Sequence, residues 1–213
     1  MKYGETIFDI AYLLITFIIG IIILKNSKNK NDKLMGYATL VLVFGDSFHL
    51  IPRFLSYFIN ADFTKMIGLG KLVTSITITI FYIFMYYIYE RIYKVKNKKT
   101  FEYTIWILFI IRIILCLLPQ NRWITNDGSV LIGIIRNIPF VIMGSMIIKL
   151  YYNRRKEDIY FKNIWLYITL SFIFYMIVVL FSSYVKMLGM FMLPKTICYV
   201  LIVIAFKNKV KNI

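Results

Sequence analysis

The chain has 213 residues, of which 60% are hydrophobic and 18% aromatic, and its formal net charge is +16. A soluble domain is about 45–50% apolar, so this excess excludes an ordinary soluble globule of one-domain length. The charge does not imply nucleic acid, because the lysines and arginines fall in short stretches between apolar runs and no nucleic-acid-binding signature accompanies them.

A helix needs about 20 mostly apolar residues to cross the hydrocarbon core. Runs of that kind cover 7–24, 34–58, 66–89, 101–118, 130–150, 164–185 and 188–206. They are too long and too uniformly apolar to be strands of a membrane barrel. The predicted fold is all-α, a polytopic transmembrane bundle of about seven helices, in one integral membrane domain over 1–213.

The first run follows Glu5 and contains Asp9. It lacks the basic start and small-residue cleavage site of a secretory leader, so it reads as a retained span. Both acids read as interface residues.

The second run holds the densest polar set, Gly45-Asp46-Ser47-Phe48-His49-Leu50-Ile51-Pro52-Arg53. Asp46 lies about 18 Å along the helix from Leu34. Asp46, His49 and Arg53 follow at i, i+3 and i+7 and share one face. Pro52 has no amide hydrogen, which leaves the Phe48 carbonyl free beside them. A charge at bilayer depth costs at least about 2.5–3.5 kcal/mol, so such residues turn inward and collect partners.

The third run opens with Gly68-Leu69-Gly70, whose spacing is not that of a phosphate loop, followed by Lys71, Thr74 and Ser75. The fourth carries Arg112, read as a partner for Asp46 or as a snorkelling cation. The fifth has Arg136, Asn137 and Pro139, and the last has Pro194-Lys195-Thr196. Cys116 and Cys198 read as packed thiols. No metal-ligand spacing exists, and no cofactor is expected.

Most of the 26 basic residues lie between runs one and two, three and four, five and six, and after run seven. The alternate loops hold little more than Lys65, Arg122 and Lys186. Positive charge stays on the cytoplasmic side. The N-terminus is therefore expected outside and the C-terminus inside, in a multi-pass protein of the cell membrane. Short loops make neighbouring helices antiparallel. Tyr86, Tyr87, Tyr89, Tyr93, Tyr151 and Tyr152 near span ends read as an interfacial belt.

With that orientation, the polar residues of runs two, three, five and seven fall in the outer half of the bilayer. The expectation is a polar cavity open to the outside. Asp46 and His49 would be its acid and base, and Arg53, Lys71, Arg136 and Lys195 would hold an anionic group such as a lipid phosphate or a carboxylate. Arginine suits a phosphate because its planar fork donates two parallel hydrogen bonds. The expected partners are membrane lipids and an anionic small molecule or lysolipid, with the oligomeric state left open.

Gly45-Asp46, followed by Leu50-Ile51-Pro52-Arg53, resembles the YhhN-like lysoplasmalogenase family, small membrane proteins with a Gly-Asp pair in an early helix. The resemblance implies hydrolysis of the vinyl-ether bond of lyso-ether phospholipids, with Asp46 as the acidic site residue. A carboxylic acid can protonate a vinyl ether while a second base activates water. The chain has one span fewer than that family usually shows. Its last two spans also contain no Asp or Glu, where the family carries a second acid, which leaves His49 for that role. Competing readings are a small-anion transporter gated by proline-interrupted helices, a receptor-like binding protein, and an accessory subunit of a membrane complex. A retinal photoreceptor is disfavoured, since Lys195 lies near the outer end and the third span has no carboxylate.

Overall fold

Apolar runs set the helices of this chain, and caps and loop charges set their ends. The computed structural model describes residues 2–182 and 184–211, apart from the side chain of Lys186. Among them the long helices are α1 Lys2–Asn26, α2 Lys30–Leu55, α3 Thr64–Ile92, α4 Lys99–Leu117, α5 Val130–Asn153, α6 Ile164–Phe181 and α7 Met192–Lys211. No strand occurs among the described residues. These 7 helices are long and apolar enough to cross a membrane, as the runs predicted.

Two ends differ from the expected spans. The start of the last run is wound as a 3₁₀ turn over Lys186–Phe191, and the α-helix proper begins at Met192. Pro194 then falls in the first turn, where its missing N–H removes no helix bond. Helix α2 stops at Leu55, within one turn of Pro52.

The caps are local. The Asn29 side chain accepts the N–H groups of Asn31 (2.8 Å) and Asp32 (2.9 Å), and the Asp32 carboxylate accepts the Lys28 N–H at 3.1 Å. Donors at the head of α2 are thereby satisfied. At the tail of α4 the Asn121 amide donates to the carbonyls of Leu115, Cys116 and Leu118, and the Trp123 indole donates to Cys116 at 2.8 Å. These are carbonyls that a helix C-terminus leaves without partners.

Helix α3 is central and packs on α2, α4 and α5, while α1 closes against α7 and α2 also reaches α7. Its Phe81, Tyr82, Met85 and Tyr86 are buried among Ile23, Met35, Met143, Ile147 and Phe206. Glycines bring α2 and α3 together. A Cβ at Gly45 would lie 1.7 Å from Thr77 Oγ1, and one at Gly70 would lie 2.1 Å from the Phe48 carbonyl oxygen. That carbonyl is the one Pro52 leaves without its helical donor. Only glycine admits so close an approach between membrane helices.

The tyrosine belt is corrected. Tyr86, Tyr89 and Tyr151 are only 1%, 4% and 0% exposed and belong to the core, whereas Tyr152 is exposed. The Tyr86 and Tyr151 rings can be buried because their hydroxyls find acceptors inside. Tyr151 donates to the Met85 carbonyl at 2.9 Å and Tyr86 to Glu90 at 2.8 Å.

Candidate functional site

Toward the lysine-poor end, α2 carries Asp46 and His49 on the face turned to α1, α3 and α7. Asp46 accepts a 2.6 Å hydrogen bond from the Tyr12 hydroxyl of α1. His49 Nδ1 lies 2.8 Å from Thr74 Oγ1 of α3, and Thr74 donates its own proton to the Gly45 carbonyl, also at 2.8 Å. A threonine hydroxyl has one proton to give. The imidazole must therefore donate from Nδ1, which assigns its proton there and leaves Nε2 with a free lone pair. From α7, the Lys195 ammonium sits over the rings of Tyr175 (4.6 Å) and Tyr199 (5.7 Å). Such a perch favours a cation by ring electrostatics. Its charge also acts on both Asp46 and His49.

One turn further out on α2, about 6 Å along the axis, Arg53 forms an ion pair with Glu5 of α1. Tyr57 joins them, accepting from Arg53 Nε at 3.3 Å and donating to Glu5 at 3.0 Å. Asp9 lies one turn inward on α1, within the electrostatic reach of Arg53, Glu5 and Asp46. It is 4% exposed, and its Oδ2 has no hydrogen-bond partner among the described residues. Asp9 is thus an interior carboxylate and not an interface residue. The reason is spacing: Glu5, Asp9, Tyr12 and Thr16 repeat at intervals of three and four, so one stripe of α1 is polar and turns inward. Thr16 is fully buried as well.

The other two predicted cations are held by the segment after α4. Lys71 donates to Asn126 at 2.8 Å, and Arg136 donates to Asn121 at 2.7 Å with its guanidinium 4.4 Å over the Trp123 ring. Gly68 makes room for this segment, since a Cβ there would lie 1.7 Å from the Trp123 carbonyl oxygen. Lys71 remains within electrostatic range of Arg53 and Arg136. Nearby, a hydrogen bond from Thr125, aided by the Arg122 charge, holds the Asp127 carboxyl below the usual carboxylate range.

The structure therefore gathers Asp46, His49 and Lys195, places Arg53 one turn outward in a pair of its own, and hands Lys71 and Arg136 to two neutral amides of one loop. The single cavity ringed by four cations does not form in this arrangement. Sequence reasoning missed Tyr12 and Tyr175, and it placed Thr74 on the polar face of Lys71 without assigning it to His49. Tyr12 left a readable signal, its place on the polar stripe of α1.

Arg112 is neither a partner for Asp46 nor a snorkelling residue. It is 1% exposed. Its Nε donates to Thr79 at 2.8 Å, and one terminal nitrogen donates to Asn137 at 2.9 Å and to the Arg136 carbonyl at 3.4 Å. Its guanidinium lies 3.8 Å over the Phe140 ring. Asn137 also accepts from Tyr175 at 2.8 Å. No carboxylate is among these partners.

Grooves lie between helices on the surface of the described residues. One of about 560 Å³ runs between α1 and α2, and another of about 210 Å³ lies between α6 and α7 near Tyr160 and Asn163.

Comparison with family models, with curated proteins and with solved structures finds no match. Fold and site define a class, a multi-pass membrane-type helical bundle with titratable groups gathered in its interior. Nothing narrower than that class is fixed by likeness to another protein.

Proposed function

We propose that this chain binds a phosphate-bearing, single-chain lipid from the outer leaflet and hydrolyses it, with Asp46 as acid and His49 Nε2 as the base that activates water. In this reading the N-terminus is outside and the lysine-rich loops face the cytoplasm. Lys71 and Arg136 exchange their neutral amide partners for phosphate oxygens, and Lys195 stabilises negative charge beside Asp46. For a vinyl-ether substrate, Asp46 would protonate the alkene carbon. Water deprotonated by His49 would add to the resulting oxocarbenium carbon, and the hemiacetal would fall apart to an aldehyde and an alcohol. The resemblance at Gly45-Asp46 points the same way.

One observation supports this reading above the others. Arg53 lies one helical turn outside an acid and a base that have separate partners: Asp46 is held by Tyr12 and His49 by Thr74. Acid and base catalysis requires two groups with separate partners so that one can give a proton while the other takes one.

The test is turnover. Purified protein in detergent, given lysophospholipids with vinyl-ether or ester-linked chains, should release aldehyde or fatty acid. Asp46→Asn and His49→Gln should each slow release about 10²–10⁴-fold. No release from any of these lipids by the unaltered protein removes the proposal.

A second reading, transport of a small anion, draws support from Arg112, which extends positive charge deeper into the bundle with only neutral partners. Anion flux into proteoliposomes, abolished in Arg112→Gln, would favour it.

A further inference from the structure

Asp9 is a carboxylate placed where a charge is expensive. It sits on the inward stripe of α1, 4% exposed, and its Oδ2 has no hydrogen-bond partner among the described residues. A buried ionised carboxylate with a bare oxygen loses its hydration and gains nothing in return, so such groups are neutralised, paired or ligated. The charge of Arg53 reaches Asp9, but the guanidinium is engaged with Glu5, one turn further out on the same stripe. Pairing therefore does not account for Asp9.

The charges around it do not balance. Helix α1 packs against α2 and α7. The titratable groups gathered there are Glu5 and Tyr12 of α1, Asp46, His49 and Arg53 of α2 with Tyr57 just beyond, and Lys195, Cys198 and Tyr199 of α7. The phenols and the thiol are neutral at neutral pH, and His49, as the base described above, adds no charge. Lys2 over the Tyr57 ring and Lys71 on Asn126 are exposed, where solvent screens them. Fully ionised, the interior would set three carboxylates, Glu5, Asp9 and Asp46, against two cations, Arg53 and Lys195. One negative charge is in excess at a depth where unpaired charge is costly.

A single positive charge closes that sum, and the geometry says which and where. A metal ion needs several oxygen ligands around one point, and no group of three or more His, Cys, Asp or Glu able to hold one occurs among the described residues. Thr16, a further buried hydroxyl of the stripe, lies about 10 Å along the axis from Asp9 and cannot share an ion with it. A proton needs one oxygen. The Tyr12 hydroxyl donates to Asp46 at 2.6 Å, within the range of about 2.5–2.7 Å for a hydroxyl on an ionised carboxylate, whereas Asp9 Oδ2 has no donor. We infer that Asp9 and Asp46 hold one proton between them, that it rests on Asp9, and that it exchanges with the solution at the lysine-poor end past Arg53 and Glu5. Those two side chains are 33% and 24% exposed. When the proton leaves, Asp9 becomes a second carboxylate for Arg53, about 6 Å inward of Glu5. The site does not depend on the hydrolase reading. Where that reading holds, the stored proton is the one Asp46 must receive: Asp9 gives it to the Tyr12 oxygen as Tyr12 gives its own to Asp46.

The experiment is infrared spectroscopy of the full chain in nanodiscs at neutral pH, once in sodium chloride and once in choline chloride. The readout is the carbonyl band of a protonated carboxylic acid, which an ionised carboxylate lacks. The unaltered protein should show the band equally in both salts. It should vanish in Asp9→Asn, and also in Asp46→Asn, because either change leaves two acids for two cations. Lys195→Met tests the same sum from the opposite wall without touching either acid: with one cation gone a second proton is taken up, and the band should grow about twofold. No band in either salt, a band that survives in Asp9→Asn or in Asp46→Asn, or an unchanged band in Lys195→Met would overturn the inference. A band seen in choline and lost in sodium would overturn it too, and would give the site to a metal cation. No lipid substrate enters the measurement, so it stands or falls apart from turnover.

Discussion

Two polar clusters are buried in this bundle, and they are built on opposite plans. Around Arg112, helices α3 and α5 supply a hydroxyl, an amide, a carbonyl and an aromatic face, and none of these groups titrates near neutral pH. Around Asp46, helices α1, α2 and α7 supply two carboxylates, an imidazole and an ammonium, and one carboxylate oxygen, Asp9 Oδ2, has no hydrogen-bond partner among the described residues. The first arrangement suits a fixed tie between helices. The second retains groups able to gain and lose protons, at a cost in stability that chemistry would justify. Buried polarity is therefore not one signal: what counts is whether its members titrate and whether any is left unsatisfied.

The largest expected effect tests the structural side. Arg112→Met removes the guanidinium hydrogen bonds to Thr79, Asn137 and the Arg136 carbonyl, and a hydrogen bond to a charged group contributes about 1.5–3 kcal/mol. Thermal unfolding in detergent should show a loss of about 3 kcal/mol, with lysolipid affinity retained. Gly45→Ala comes next. Its methyl would meet Thr77, and overpacking of this kind costs about 1–3 kcal/mol. Because Thr74 and the Gly45 carbonyl also position His49, turnover should fall along with the melting temperature.

Tyr12→Phe removes one hydrogen bond to Asp46, worth about 1.5–3 kcal/mol if the acceptor is charged. Its stability loss should shrink when made in an Asp46→Asn background, and the double-mutant cycle reports the coupling. At the lysine-rich end of the bundle, Arg154→Ala breaks the ion pair with Glu157. Exposed pairs of this type contribute little, so its effect should be small and should fade with added salt. The smallest effect concerns the loop after α4. Asp127 has a lowered pKa, so its contribution to that loop is present above the ordinary carboxylate value of about 3.9 and is lost as pH falls through the lowered one. The hydrogen-exchange protection factors of the loop, corrected for the intrinsic pH dependence of exchange, should stay flat from neutral pH to about 4 and fall only below.

The seven helices were legible because an apolar run of span length has few other fates. The face shared by Asp46, His49 and Arg53 was legible too, since it needs only helical periodicity. What holds that face was legible only in part. Lys195 was expected beside it, but the tie from Tyr12 to Asp46 depends on how α1 packs against α2, a tertiary fact that no local pattern carries. Tyr86, Tyr89 and Tyr151 misled for the same reason. Near a span end a tyrosine resembles an interface anchor until its hydroxyl is seen to find an acceptor inside. Asp9 was readable in principle, because the stripe from Glu5 to Thr16 repeats at helical spacing. Arg112 could be recognised as costly but not assigned partners, since neutral ligands leave no charge pattern to match.

The most direct test of the difference between the two clusters is a crossed measurement on Arg112→Met and Asp46→Asn, with melting temperature and lysolipid turnover read on the same preparations. Asparagine can still accept the Tyr12 hydrogen bond. Asp46→Asn should therefore keep its melting temperature within a few degrees and lose turnover about 10²–10⁴-fold, while Arg112→Met should melt earlier and, below its melting point, turn over lipid at the unaltered rate. Loss of both properties in both variants, or full turnover in Asp46→Asn, would contradict it.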